Sequence, residues 1–263
     1  MQEFTKQLGS AHPDALAMEA AGLAWLAEAE PRGGTRIARV LRRSRSSLTL
    51  EYIRSSPSTN DRAELFGRSL ARLHSLGAPW HACPPEGYTG NMVVGTSETP
   101  LSPAPVEGGW GMSFAQVLIE PILERLFSRG DMDDAALRLF SSVCSRLRDG
   151  VFDAPQPEGV PDVARIHGDL WAGNVLWSDV ETGAVLIDPH AQGGHAETDL
   201  AMLDLFGLAH LDRVIGAYDE VAPLAGQWQE RVELQQLQPL LVHAWLFGGG
   251  YLHRALEAAR RFA

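Results

Sequence analysis

The sequence predicts an α+β fold of two unequal lobes: a small mixed lobe over residues 1–54 and a mainly helical lobe over 55–263. Three observations support this. Two strand-like runs, 35–41 and 47–53, flank the turn RRSRS near the N-terminus. Most later apolar residues recur at helical spacing. The polar stretch SSPSTND, 55–61, separates the two regimes.

Residues 3–8 read as a short strand. PDALAMEAAGLAWLAEA, 13–29, reads as a helix, with Pro13 suited to a first turn and Asp14 to the positive end of the helix dipole. Leu16, Ala20, Leu23 and Ala27 share one face, and Glu19 points along that inward stripe. Arg32 to Arg45 contains six arginines and reads as a solvated basic edge. Thr59 or Asn60 caps a helix over 61–76, which carries Leu65, Leu70 and Leu73 and stops before Gly77. Residues 78–109 turn to Pro, Gly, Thr and Ser and read as one long loop. Helices are expected over 112–129, 133–149, 196–210, 211–220 and 230–260, with a single β-hairpin in the second lobe.

Composition excludes several classes. The 263 residues are 45% hydrophobic and 21% charged, an ordinary globular mix with room for a core. No apolar run reaches the length of a membrane span, and a net charge of −11 weighs against nucleic acid or an anionic membrane surface as partner. Cys83 and Cys144 are too few for a disulfide scaffold, and MQEFTKQLGS has no apolar leader core. The expected setting is a reducing cytoplasm, and the expected state a monomer. Of the 22 basic residues, Lys6 is the single lysine. A lone ammonium among guanidinium groups marks a place where a compact charge with rotatable donors is required.

The chemistry lies in VARIHGDLWAGNVLWSDVETGAVLIDP, 163–189. VARIH reads as a strand, GDLWAGN as a loop, and VLW with AVLID as a hairpin turning through Ser178 to Gly183. A hairpin brings its open ends together, so Asp188 returns close to Asn174, with Asp169 five residues before it. Two carboxylates and an amide oxygen are hard donors of the kind Mg²⁺ takes. HGDLWAGN matches the protein-kinase signature H-R-D-L-x-x-x-N at His167, Asp169, Leu170 and Asn174, with Gly168 in place of arginine, and Asp188-Pro189 stands for D-F-G. In that chemistry Asp169 accepts the proton of the attacking hydroxyl, while Asn174 and Asp188 hold metal. Lys6 on the first strand and Glu19 on the first helix fit the lysine that meets ATP phosphates and its glutamate partner. Glu51, Tyr52 and Ile53 lie where the last strand of the small lobe enters the linker, the place for reading an adenine edge.

With these residues in place, the chain resembles the fructosamine kinase (ketosamine-3-kinase) family, small-molecule kinases related to aminoglycoside and choline kinases. The resemblance is carried by IHGDLWAGNVLW (166–177), LIDPHAQGGHAETDLAMLDLFG (186–207) and LQPLLVHAWLFGGGY (237–251). Weaker matches are FGRSLARLH (66–74), GYTGNMVVG (87–95) and GWGMSFAQVLIEPIL (109–123). It implies a protein-kinase-like fold and the use of ATP and Mg²⁺ to phosphorylate the 3-hydroxyl of a free or protein-bound ketosamine, repairing glycated amines. In bacterial relatives it implies ribulosamines or erythrulosamines as common substrates. It further implies that Trp171 faces the sugar, with an apolar packing role as the alternative, that Asp199 anchors the catalytic loop and that His167 supports it. His190, His195 and Glu197 lie near by sequence, and packed or solvated histidines are expected there rather than metal ligands.

Two departures stand out. Family members carry two strands and a glycine-containing phosphate loop before the lysine, where this sequence has five residues, so a late start or a truncated small lobe is expected. In the GWGMSFAQVLIEPIL stretch the family's arginine is replaced by the apolar run Val117, Leu118 and Ile119. Two alternatives stay open from sequence: a kinase of another hydroxylated amine such as an aminoglycoside, and a catalytically weak kinase fold serving as a binding module.

Overall fold

The computed structural model describes residues 2–94 and 97–263. Gly95, the last residue of GYTGNMVVG, and Met1 lie outside the described residues.

The first part of the chain runs β1 (Glu3–Gln7), α1 (Ala15–Ala27), β2 (Arg36–Ile37), β3 (Val40–Arg43) and β4 (Ser47–Glu51). β1, β4 and β3 form an antiparallel sheet in that order, with Lys6 opposite Leu48. The expected strand 35–41 is split. Its first half leaves the sheet because Ala38 N donates to Leu186 O at 3.0 Å and β2 pairs in parallel with a strand of the second part. The basic edge is partly neutralised: Arg36 pairs with Glu30 and Glu51, and Arg42 with Glu3.

α2 (Asn60–His74) starts at Thr59, whose hydroxyl accepts from Arg62 N at 3.2 Å, satisfying one orphan amide of the first turn. The expected loop 78–109 contains two short antiparallel strands, β5 (Met92–Val94) and β6 (Ser97–Thr99). Three residues per strand are too few to show alternation, so the sequence pattern gave no sign of them. Val93 N donates to Met18 Sδ at 3.0 Å, which ties this pair to α1.

The expected helix 112–129 is three pieces: α3 (Trp110–Ser113), a π-helical stretch Phe114–Ile119, and α4 (Glu120–Arg129). Pro121 has no N–H to return to the preceding turn, and the ladder widens just before it. α5 (Asp134–Arg148) follows. Then come β7 (Ala164–Ile166), the hairpin β8 (Val175–Trp177) and β9 (Ala184–Leu186), and β10 (Gln192–Gly194), which pairs antiparallel with β7. The second part therefore holds more strand than the single hairpin expected. α6 (Ala196–Leu205) and α7 (Leu211–Asp219) precede α8 (Trp228–Gln235), α9 (Leu237–Phe247) and α10 (Tyr251–Ala259). The last three replace one expected helix, because Gly248 and Gly249 take positive φ and end α9.

One apolar core joins α1, β4, α2, β9 and α7 through Leu23, Leu26, Leu48, Phe66, Leu186 and Tyr218. A second fills the helical region with Phe114, Leu126, Phe140, Leu147, Leu234 and Leu241. α1 buries Met18, Gly22 and Trp25 as well as Leu16, Ala20 and Leu23, so it is enclosed beyond the one stripe read from its spacing. Among the described residues no helix is long and apolar enough to cross a membrane.

The tightest helix contact is between α2 and α7 at Gly67, where a Cβ would lie 2.2 Å from Val214 O. A backbone oxygen cannot swing aside. Gly67→Ala is expected to cost about 1–3 kcal/mol by overpacking, read as a lowered urea midpoint with an unchanged m-value.

Candidate active site

Four segments converge between the two parts of the chain. β1 brings Lys6, α1 brings Glu19, and the loops after β7 and β9 bring Asp169, Asn174 and Asp188. Lys6 Nζ lies 2.9 Å from Glu19 Oε1 and also bonds Asp188 Oδ1. One ammonium thus bridges a helical carboxylate and the carboxylate beyond the hairpin. Rotatable donors on a small head allow this, whereas a planar guanidinium fixes its donor directions. Asp188 takes φ 54°, a left-handed conformation that aspartate tolerates better than most residues.

Asn174 locks the loop after β7 to the hairpin. Its Nδ2 donates to Asp169 O at 2.8 Å and Asp169 Oδ2 at 3.1 Å, and reaches Asp188 O at 3.4 Å. These acceptors fix the amide's orientation and leave Oδ1 as a free oxygen donor. The Asp169 side chain is 23% exposed. Burial pushes its carboxyl up to about 7; the Asn174 hydrogen bond opposes this and the charge of Asp199 adds to it. His190 Nδ1 stands 4.0 Å from Asp169 Oδ2. Burial, followed by the repulsion of His167, His243 and Lys6, holds His190 down to about 4, so it faces Asp169 as a neutral ring.

Beneath the loop, Asp199 is fully buried. Its Oδ2 accepts from His167 N at 2.7 Å and from His74 Nε2 at 3.1 Å, and its Oδ1 accepts from Gly168 N at 2.9 Å. His74 Nδ1 meets the Tyr218 hydroxyl at 2.9 Å. Burial alone would raise the Asp199 carboxyl, but the His74 hydrogen bond and the ring and amide of His167 outweigh it and hold the group below its ordinary range. The His167 ring accepts from Asp169 N at 3.3 Å on Nδ1 and donates to Ile187 O at 2.9 Å from Nε2, which fixes its tautomer. Gly168 has φ +78°, and a Cβ there would sit 2.2 Å from His190 O. The arginine of the kinase signature has no room at this position.

A cavity of about 450 Å³ opens on Asp169, walled by Trp171, His190, Met202, Pro239, His243 and Phe247. Trp171 is 41% exposed and meets Phe206 edge-on at 6.1 Å, so it forms a cavity wall rather than core. The linker segment is less open than its sequence position suggested. Glu51 N donates to Arg39 O and Tyr52 N to Gln2 O, both at 3.0 Å, and the Glu51 carboxylate holds Arg36 and the Arg39 amide. Strand pairing has claimed those two amides. Ile53 N makes no hydrogen bond among the described residues.

Asp169, Asn174 and Asp188 supply two carboxylates and one amide oxygen, a donor set that suits Mg²⁺ with phosphate and water completing its shell. Among the described residues no group of three or more His, Cys, Asp and Glu side chains forms a metal cluster. His195 instead caps α6, its Nδ1 accepting from Glu197 N at 3.2 Å, and Glu197 pairs with Arg231. His74 and Tyr218 escaped the sequence reading; the one available signal was a histidine in the last turn of an apolar-faced helix.

Asp199→Ala leaves two loop amides and His74 without their acceptor in a dry interior. The expected cost is about 3–5 kcal/mol, measured by equilibrium urea unfolding.

Comparison with known proteins places this geometry in a family. The family model for fructosamine kinase matches residues 2–262. A crystal structure from Thermobifida fusca, provisionally named a fructosamine-3-kinase, superimposes with a TM-score of 0.85 at 40% identity, covering 98% of this chain and 84% of that one. A curated Vibrio parahaemolyticus protein, provisionally named a ketoamine kinase, is 30% identical over 79% of this chain and 66% of its own length. The chain thus spans about two thirds of that relative. A Thermus thermophilus protein of the same provisional name is 30% identical over 94% of this chain and 83% of its own. At 13% identity and a TM-score of 0.59, the choline kinase LicA of Streptococcus pneumoniae shares the fold alone. The chain belongs to the fructosamine kinase family and has the protein-kinase-like fold of the small-molecule phosphotransferases.

Proposed function

We propose that this protein transfers the γ-phosphoryl group of ATP to the 3-hydroxyl of a ketosamine, free or protein-bound. The observation that carries the reading is one carboxylate, Asp169, opening onto a cavity of acceptor size and joined through Asn174 to Asp188, which Lys6 links to Glu19.

Asp169 is the base that takes the proton of the attacking hydroxyl. Its neutral neighbour His190 does not compete for that proton by charge, and the Asn174 amide holds the carboxylate in place. Lys6 is positioned by Glu19 to meet the nucleotide phosphates. Asn174 Oδ1 and Asp188 would hold Mg²⁺, which, when bound, neutralises charge on the transferring phosphoryl group. The Ile53 amide is the linker donor left for an adenine edge. Trp171 stacks against the sugar, and Met202, Pro239 and Phe247 offer apolar surface to the amine substituent. That lining favours a ketosamine over an aminoglycoside: a polycation needs several carboxylates, and Asp169 is the one carboxylate among the cavity's lining residues. Two buried free cysteines suit a reducing, cytoplasmic setting.

The direct test is ATP consumption with ribulosamine and fructosamine derivatives of a simple amine. Turnover with either is the expected result, and its absence with every ketosamine overturns the reading. Asp169→Asn is expected to cut kcat by about 10²–10⁴ while leaving the urea midpoint nearly unchanged; an undiminished rate would place the base elsewhere. Lys6→Arg keeps the charge but loses the bridge to Glu19 and Asp188. It is expected to lower kcat/KM for ATP by about 10- to 100-fold, read in an ATP titration at saturating acceptor.

A further inference from the structure

Beside the acceptor cavity lies a second, smaller space of about 20 Å³, room for a single water-sized group. Gly168 and Gln238 line both spaces, so the two adjoin at the loop after β7. Among the described residues, two of its lining side chains carry a buried polar atom without a hydrogen-bond partner: Gln192 Oε1 and His81 Nδ1. Gln192 is only 4% exposed, and its Nε2 lies 3.4 Å from where a Gly168 Cβ would stand. Buried polar atoms normally find partners, and one left alone costs free energy. Two such atoms on one small space beside a catalytic carboxylate indicate a ligand group that satisfies both.

We propose that Gln192 and His81 form a subsite for a hydroxyl on the far end of the acceptor sugar and so set which sugar lengths are phosphorylated. The assignment rests on the ketosamine reading above. A hydroxyl carries one donor and two lone pairs, so it can donate to Gln192 Oε1 and accept from the His81 ring. Burial, aided by the charge of His195, holds His81 down to about 4, so its ring is neutral and can take the tautomer the hydroxyl needs. The other end of a ketosamine does not fit here. The smaller space takes about one water-sized group, too little for a secondary amine with its substituent, whereas the large cavity is rimmed by Phe247, which is 69% exposed. The sugar therefore lies with its 3-hydroxyl at Asp169, its amine toward the open rim and its polyol tail toward Gln192. Specificity arises because a site built around a hydroxyl leaves its own polar groups unpaired when that hydroxyl is missing.

The test compares erythrulosamine, ribulosamine and fructosamine derivatives of one amine, with four, five and six sugar carbons. Gln192→Met is nearly isosteric and keeps the backbone pairing of β10 with β7, while His81→Leu removes the second polar atom. In both variants the ratio of kcat/KM for the preferred longer sugar to that for the four-carbon sugar is expected to fall about tenfold, chiefly through KM. An unchanged ratio in both overturns the subsite. So does a fall in melting temperature with an unchanged ratio, because a structural role moves stability and not selectivity. A parent protein inactive on all three sugars instead overturns the ketosamine reading, before any variant is compared.

Discussion

The buried carboxylate of Asp199 is the constraint on which the site depends. It sits in the first turn of α6 and reaches across to take the amides of His167 and Gly168, and it also takes the ring of His74. A catalytic loop has few ladder bonds of its own, so its shape must come from such a partner. Asp199 is itself held by α2 and α7 through His74 and Tyr218. The position of Asp169 is therefore set by the packing of three helices against the loop, while Asp169 itself stays partly open to the cavity.

Lys6 supplies the complementary constraint from the other side of the cleft. Its ammonium ties the first strand, the first helix and the end of the hairpin at one point. All three side chains keep some solvent exposure, so the bridge adds little to overall stability. It aligns groups instead: Glu19 restrains the lysine, and Asp188, in a left-handed backbone conformation, meets Lys6 through its carboxylate and Asn174 through its backbone oxygen.

Much of this was legible in the chain. HGDLWAGN and the IDP hairpin place Asp169, Asn174 and Asp188 together because hairpin geometry is local, and Glu19 betrayed itself as a carboxylate on an inward helical stripe. What escaped was nonlocal or strained. Tyr218 meets His74 across 144 residues, which no spacing within one element encodes. β5, β6 and β10 are each three residues long, below the length at which alternation can be read. The break at Gly248 and the π-helical stretch before Pro121 hid inside continuous apolar runs. Gly168 reads in sequence as the loss of an arginine; in the fold it is required by the carbonyl of His190.

The parallel pairing of β2 with β9 carries one more consequence. Arg36 and Ile37 belong to the first part of the chain, yet they are stitched to Val185 and Leu186, two residues before Asp188. The two ladder pairs and the Ala38 N to Leu186 O bond therefore couple the first part of the chain to the strand that leads into Asp188.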